Sequence, residues 1–116
     1  IGVGIGTPGA LDRASGVVFF APNLRLKDYP MKAVMERRLK KPVILENDAN
    51  AAIYGEYWKG SAQGARNVVG FTLGTGIGGG VIVEGEVLHG SCDAGAELGH
   101  ITVDPDGPFC GCGNHG

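Results

Sequence analysis

Three segments of this sequence combine residue types that could do chemistry, and the first is Glu46-Asn47-Asp48. It follows apolar residues 43–45 and precedes an alanine-rich stretch, so it is predicted to form the corner between a strand and a helix. Asp48 at a helix N-terminus is expected to carry its charge, and an ionised carboxylate in a cleft can accept the proton of an attacking hydroxyl. Asn47 can both donate and accept hydrogen bonds, which suits a polyol. The alternative interpretation is an ordinary helix cap.

The second segment is the glycine-rich run GTGIGGG at residues 74–80, which lies between two apolar stretches. Successive backbone N–H groups in such a turn form a concave nest that suits phosphate, and Thr75 adds a hydroxyl donor. The run lacks the Gly-Lys-Ser/Thr ending of a Walker A loop, and a strand rather than a helix is predicted to follow it. A purely structural hairpin turn is the alternative.

The third segment contains Glu97-Leu98-Gly99-His100 and, ten residues after the histidine, Cys110-Gly111-Cys112. Zinc takes four ligands from cysteine, histidine and carboxylate side chains, and His100, Cys110 and Cys112 could supply three. The fourth would be His115 or a residue beyond the end of this sequence. The alternative is two reduced thiols and an unrelated histidine.

Strands and helices that alternate along the chain are predicted to position these segments. A helix is predicted after Pro30, because Met31, Val34, Met35 and Leu39 share one face, and Pro42 ends it. A second helix is predicted to follow Asp48. The predicted strands are residues 1–5, 17–20, 43–45, 67–73, 81–83 and 87–88, with a hairpin formed across the turn at residues 12–16.

Composition excludes several classes of protein. Hydrophobic residues make up 43% of the 116 residues and charged residues 19%, which is typical of a soluble globular protein and not of a disordered one. The net charge of −2 provides no basic footprint for nucleic acid, and no apolar run approaches the ~20 residues that span a bilayer. We therefore expect a cytoplasmic protein. Cys92 has no partner at useful spacing and is expected to be a buried small apolar residue.

Taken in order, TPG, ENDANAA, GTGIGGG, GAELGH and CGCG resemble the ROK family, whose name stands for repressor, open reading frame and kinase. Its members include bacterial glucokinases, fructokinases, N-acetylhexosamine kinases and sugar-responsive repressors. The resemblance spans essentially all 116 residues. It implies an α/β fold of the actin-like ATPase (ribonuclease H-like) type, of which this chain is an internal part. Residues 1–62 would end the small N-terminal domain and residues 63–116 would begin the large C-terminal domain.

The resemblance also implies roles for single residues in sugar binding and catalysis. Asp48 matches the catalytic base, which takes the proton of the sugar hydroxyl as that hydroxyl attacks the γ-phosphate of ATP. The positions that match sugar-binding residues are Gly9, Asn47, Asp48, Glu97 and His100.

Phosphate and metal positions follow from the same resemblance. Gly74, Thr75 and Gly76 match the second phosphate loop, which holds ATP phosphates together with Mg²⁺. The matches to ligands of a structural Zn²⁺ are His100, Cys110 and Cys112, and that metal would pin the loop that presents Glu97 and His100 to the sugar.

Departures from the family pattern limit what this chain can do alone. The first phosphate loop would precede the TPG segment by about sixty residues, and the family's fourth zinc ligand, a cysteine, would fall just after Gly116. Ala96 stands where many members have glycine, a change that we expect to be tolerated. By itself the chain is expected to bind ATP and zinc poorly and to be inactive.

Two functions remain open for the full-length protein. One is ATP-dependent phosphorylation of a hexose, with glucose as the favoured substrate, by a homodimer or homotetramer. The other is a sugar-responsive transcriptional repressor with a helix-turn-helix ahead of the kinase-like part. Retention of both END and GTGIGGG favours the kinase, because repressors of the family often lose parts of these motifs. A structural zinc module would not explain why the two motifs occur together.

Overall fold

The structure is a computed structural model that describes residues 1–116. It contains strands in three small sheets, two α-helices and two short 3₁₀ turns. The strands are β1 (Val3–Thr7), β2 (Ala10–Asp12), β3 (Val17–Ala21), β4 (Leu26–Tyr29), β5 (Val43–Asn47), β6 (Val68–Leu73), β7 (Ile77–Val83) and β8 (Glu86–Val87). The helices are α1 (Met31–Leu39) and α2 (Asp48–Lys59), and the 3₁₀ turns are Pro22–Leu24 and Leu98–His100. Neither α-helix has the length and apolar character needed to cross a bilayer.

A parallel pair of strands, β1 and β5, determines where the first half of the site lies. Their register pairs Gly6 with Glu46 and Thr7 with Asn47. Because the strands are parallel, the chain leaves both of them at the same edge, which is where ligands bind in open α/β sheets. The loop at residues 8–9 therefore lies beside the start of α2.

The predicted hairpin forms, but the prediction was wrong about its strands. β3 pairs antiparallel with β2 and with β4, neither of which was predicted, and β1 joins a different sheet. The chain changes direction at Gly9, where φ is 91° and an added Cβ would overlap the carbonyl oxygen of Phe20. A three-residue strand such as β2 is too short to show a hydrophobic period.

Both helices form where the sequence predicted them. α1 ends with Lys40 in the left-handed conformation, two residues before Pro42. Met31 and Met35 pack against a core that consists of Leu11, Val18, Ala21, Val43 and Leu45. Helix α2 begins at Asp48, directly after strand β5, so the predicted strand-corner-helix arrangement is confirmed.

Helix α2 packs closely on the β6–β7 pair because that pair is rich in glycine. A Cβ on Gly78 would lie 2.8 Å from Ala49 Cβ, and one on Gly80 would lie 2.8 Å from Ile53 Cγ1. The predicted turn at residues 74–80 was therefore too long, since Gly78 and Gly80 belong to strand β7 and only residues 74–76 form the turn. The boundary between two domains at residue 62 stays a prediction.

Candidate active site

A cavity of about 620 Å³ opens where the TPG loop, the start of α2, the start of β7 and the segment around the 3₁₀ turn Leu98–His100 meet. Its size suits a small ligand. The structure brings all five predicted sugar-binding residues to its wall, although they come from three separate segments of the chain. They are Gly9, Asn47, Asp48, Glu97 and His100.

Asp48 is exposed to solvent in this cavity and is not sealed by apolar side chains. One of its carboxylate oxygens, Oδ1, lies 3.0 Å from the backbone N–H of Ala49, and the side chain forms no ion pair. The carboxylate is therefore held at the helix N-terminus while remaining accessible to a ligand. This is the arrangement that a base acting on a bound hydroxyl requires.

Asn47 is the N-cap of α2. Its Oδ1 accepts hydrogen bonds from the backbone N–H groups of Ala49 at 2.9 Å and Asn50 at 3.1 Å. The cap and the ligand interpretations of the END segment are thus compatible, because capping uses Oδ1 and leaves the side-chain NH₂ group able to donate.

A second cavity, of about 380 Å³, adjoins the first and contains the predicted phosphate turn. Gly74, Thr75 and Gly76 line it together with Asp48. The N–H of Gly74 donates to the carbonyl of Gly76 at 3.0 Å, whereas the N–H groups of Thr75 and Gly76 make no hydrogen bond within the chain. Two backbone donors and the Thr75 hydroxyl therefore remain for an anion.

The segment that carries Glu97 and His100 packs tightly against β7. A Cβ on Gly79 would lie 2.6 Å from the Ala96 carbonyl oxygen, and one on Gly99 would overlap the carbonyl oxygen of Ile77. Glycine at both positions lets the backbones approach closely, and this approach brings Glu97 and His100 to the cavity. His100 Nε2 then lies 3.8 Å from Glu97 Oε2.

Ala96 has a φ of 65°, in the left-handed region that favours glycine. We expect Ala96→Gly to raise the free energy of unfolding of the full-length protein by about 1 kcal/mol, because the Cβ strain is removed although the unfolded chain becomes more flexible. Denaturant unfolding would measure the change. Ala65→Gly is the matched control, since Ala65 is exposed without a positive φ and its replacement should be destabilising. A stability loss in Ala96→Gly would contradict the strain argument.

His100, Cys110 and Cys112 form a compact group whose potential ligand atoms all lie within 4.8 Å of one another. His100 Nδ1 is 3.7 Å from Cys110 Sγ. The Cys112 backbone N–H, the Cys112 side chain and then His100 lower the pKa of the Cys110 thiol to about 7. Thiolate is the form of cysteine that binds metal, and two thiols with an imidazole suit Zn²⁺. The residues present therefore fit a structural zinc as three of four ligands.

His115, one of two candidates for the fourth ligand, does not belong to this group. Its Nδ1 lies 2.9 Å from the carbonyl oxygen of Gly107, and its ring contacts Phe109 edge-on. All three cysteines are free thiols.

The expected burial of Cys92 was wrong. Cys92 is exposed and lines the larger cavity, with its Sγ 3.6 Å from Ser91 Oγ. It lies in an irregular segment after β8, where no hydrophobic period indicates which side chains face inward.

Sequence reasoning also missed Asn23, which lines both cavities. Asn23 lies in the 3₁₀ turn Pro22–Leu24, directly after β3. The Pro-Asn pair after a predicted strand was the available signal for a polar loop, but the direction in which this loop points depends on the pairing of β2 and β3.

Comparison with known proteins identifies the class of protein. The ROK family profile matches residues 1–116, and the chain belongs to the ROK family. It is 46% identical over 117 residues to the glucokinase of Halalkalibacterium halodurans and 50% identical over 115 residues to that of Thermotoga maritima. These matches cover 100% and 98% of this chain and 36% of each relative, so the chain spans about a third of their length. The xylose repressor of Bacillus subtilis is 40% identical over 116 residues, which are 100% of this chain and 30% of the repressor.

Solved structures confirm the fold class. A ROK family glucokinase from Streptomyces griseus, in complex with glucose and AMPPNP, superposes with a TM-score of 0.88 at 48% identity, covering 99% of this chain and 37% of that one. A ROK family transcriptional regulator, a homologue of the E. coli MLC protein, has a TM-score of 0.87 at 32% identity, covering 99% of this chain and 29% of that one. The chain is part of an α/β fold of the actin-like ATPase type.

Proposed function

We propose that the full-length protein transfers a phosphoryl group from ATP to a hexose, and that glucose is converted to glucose 6-phosphate. The observation that carries this proposal is the position of Asp48 on the walls of both cavities. The larger cavity would hold the sugar and the smaller one the terminal phosphates, so the carboxylate would lie where hydroxyl and phosphate meet. Identities of 46% and 50% to two glucokinases support the same reaction.

Asp48 would accept the proton of the attacking sugar hydroxyl. The Asn47 amide, Glu97 and His100 would bind the other hydroxyls, and Gly9 would let the loop backbone approach the ring. Little covalent chemistry is asked of the protein in phosphoryl transfer, so its contribution would be positioning and charge stabilisation.

The phosphate turn would bind the nucleotide through the N–H groups of Thr75 and Gly76 and the Thr75 hydroxyl. Gly74 would shape the turn. Mg²⁺ would arrive with ATP and neutralise charge on its phosphates. Asp48 is the one carboxylate that lines this smaller cavity.

A structural Zn²⁺ would be held by His100, Cys110 and Cys112 with a fourth ligand from elsewhere in the protein. Its contribution would be to keep the 3₁₀ turn Leu98–His100 in place, since His100 belongs both to that turn and to the ligand group. The two nitrogens of His100 face different partners, Nδ1 towards Cys110 and Nε2 towards Glu97. His100 would thus bind the metal through one nitrogen and the sugar through the other.

A sugar-responsive repressor is the second candidate, favoured by the 40% identity to a xylose repressor and by the superposition on a transcriptional regulator. Against it stands the presence of both Asp48 and the turn at residues 74–76 beside the cavities, because a repressor that only senses sugar needs neither the base nor the phosphate turn. We further propose a cytoplasmic homo-oligomer, a dimer or tetramer, that binds no nucleic acid, with domains that meet near residue 62.

A coupled ADP-release assay on the full-length protein would test the proposed function. We expect turnover with Mg-ATP and glucose that exceeds turnover with fructose, mannose and the N-acetylhexosamines. Chain 1–116 alone, as a matched control, should release no ADP, since it spans about a third of its relatives. If a sugar binds but none of the panel releases ADP, the repressor replaces the kinase as the proposed function.

A further inference from the structure

Glu46, the residue before the proposed sugar ligand Asn47, is the centre of a polar cluster behind the cavity wall. Its Oε1 accepts hydrogen bonds from the backbone N–H of Asn47 at 2.9 Å and from Asn50 Nδ2 at 3.3 Å. Its Oε2 lies 3.1 Å from Arg13 Nε and 2.8 Å from His89 Nε2. Both carboxylate oxygens are therefore occupied by neighbours in the protein.

The cluster joins parts of the chain that are far apart in sequence. Arg13 follows β2, Glu46 lies on β5, and His89 lies in the segment after β8. Arg13 also donates its backbone N–H to Asp93 Oδ2 at 2.9 Å, and its Nη1 is 3.9 Å from Asp93 Oδ1. Asp93 itself lines the larger cavity, two residues before Gly95, in the segment that leads to Glu97.

Three of the four charged or titratable side chains of this cluster are partly withdrawn from solvent, whereas that of Arg13 is 39% exposed. The exposed fractions of the Glu46, His89 and Asp93 side chains are 23%, 21% and 20%. Charge-assisted hydrogen bonds in such surroundings are about twice as strong as neutral ones. Asn50 is only 3% exposed and its Oδ1 has no partner, so Glu46 supplies the sole side-chain hydrogen bond of this buried amide.

We propose that Glu46 is a positioning residue for the phosphoryl transfer, and this inference rests on the proposed function. It contacts neither cavity but holds the backbone of Asn47 and the first turn of α2, and it ties them through Arg13 and His89 to the segment of Asp93. The carboxylate thereby couples the two walls of the sugar cavity, the corner with Asp48 and the segment that leads to Glu97. Small displacements of reacting groups lower rates strongly, so the effect falls on turnover.

Kinetic constants of the full-length Glu46→Gln variant test this role. We expect kcat to fall by about 10-fold or more and the sugar KM to rise, because both walls shift. The ATP KM should stay within about 2-fold of the unmodified protein, because the turn at residues 74–76 makes no contact with the cluster. Glu84→Gln is the matched control, since it removes an exposed carboxylate that pairs with Arg66, and it should leave all constants unchanged. Unchanged kcat in Glu46→Gln, or an equal rise of both KM values, would overturn the inference.

Two further variants separate positioning from a general loss of folding. Arg13→Gln should lower kcat less than Glu46→Gln does, and Arg13→Lys should recover part of the loss because it keeps the positive charge. The double variant Arg13→Gln/Glu46→Gln should be no slower than Glu46→Gln alone, since both changes break one network. If the two single losses of kcat multiply in the double variant, Glu46 and Arg13 act separately, and the proposed network is refuted.

Amide hydrogen exchange tests whether Glu46 couples the corner with Asp48 to the segment of Asp93. This test does not depend on the proposed function. In Glu46→Gln, exchange should accelerate both at the hydrogen-bonded amides of Asn47 and Asn50 and at those of Leu88 and Gly95, and stay unchanged at that of Gly74. Acceleration in one segment alone would refute the coupling. Absence of ADP release by the unmodified protein would instead refute the proposed function, and the exchange result would still stand.

Discussion

The Asp48→Asn variant of the full-length protein is expected to bind glucose nearly as well as the unmodified protein and to turn over at least about 100-fold more slowly. Asparagine keeps the size of the side chain and an oxygen that can accept the Ala49 N–H, so the helix N-terminus should be preserved. It removes the carboxylate that would take the proton of the sugar hydroxyl. Calorimetric titration with glucose and the coupled ADP assay would measure the two effects separately.

Asp28→Asn is a suitable control for that experiment. Asp28 is exposed on β4 and lies outside both cavities, so its replacement should leave kcat and glucose affinity unchanged. Near-normal turnover of Asp48→Asn would reject the role of Asp48 as base. A loss of glucose binding as large as the loss of turnover would indicate a binding role instead.

The Cys112→Ser variant of the full-length protein should lose its zinc. The unmodified protein is expected to contain about one zinc per chain, and loss of a thiolate ligand should weaken binding by more than about 100-fold. Because His100 belongs to the same ligand group, loss of the metal should leave the His100 side chain less firmly positioned at the cavity wall. We therefore expect kcat/KM for the sugar to fall by about 10-fold or more. Metal analysis and the ADP assay would measure both changes.

Cys92→Ser is the matched control for metal content. Cys92 is an exposed free thiol that is not part of the group of His100, Cys110 and Cys112, so the variant should retain its zinc. Absence of zinc from the unmodified protein would remove the metal from the proposal. The close packing of Gly99 on β7 would then remain as the structural basis for holding Glu97 and His100.

Local features of the site were predictable because they depend on neighbours in sequence. The strand-corner-helix at residues 43–59 follows from an apolar run, an Asn cap and helix-forming alanines, and the structure contains it with Asn47 as the cap. The grouping of His100 with the two cysteines was likewise read from residue type and spacing. The approach of Gly9, Glu97 and His100 to one cavity was expected only from the family resemblance.

The glycine-rich run at residues 74–80 shows that the sequence of a segment does not reveal which of its glycines pack against other segments. Residues 74–80 were predicted to form one turn, yet a Cβ would meet no atom within 4 Å at Gly74 or Gly76, whereas one at Gly78 or Gly79 would meet neighbouring segments. The outer part of the run faces the smaller cavity, while the inner part lets α2 and the segment of Glu97 pack against β7. Both parts are rich in glycine, so glycine content alone does not distinguish them and the packing does.

The sequence alone determined the chemical groups of this protein, the turn and helix that present them, and the family to which it belongs. Tertiary structure alone decided that β1 pairs with β5, that Cys92 faces the cavity, and that Glu46 meets Arg13 and His89. The physical reason is the range of the interactions. Capping and turn formation act over a few residues, whereas strand pairing and ion pairing join residues up to 80 positions apart, as Arg13 and Asp93 are, and have no local signal.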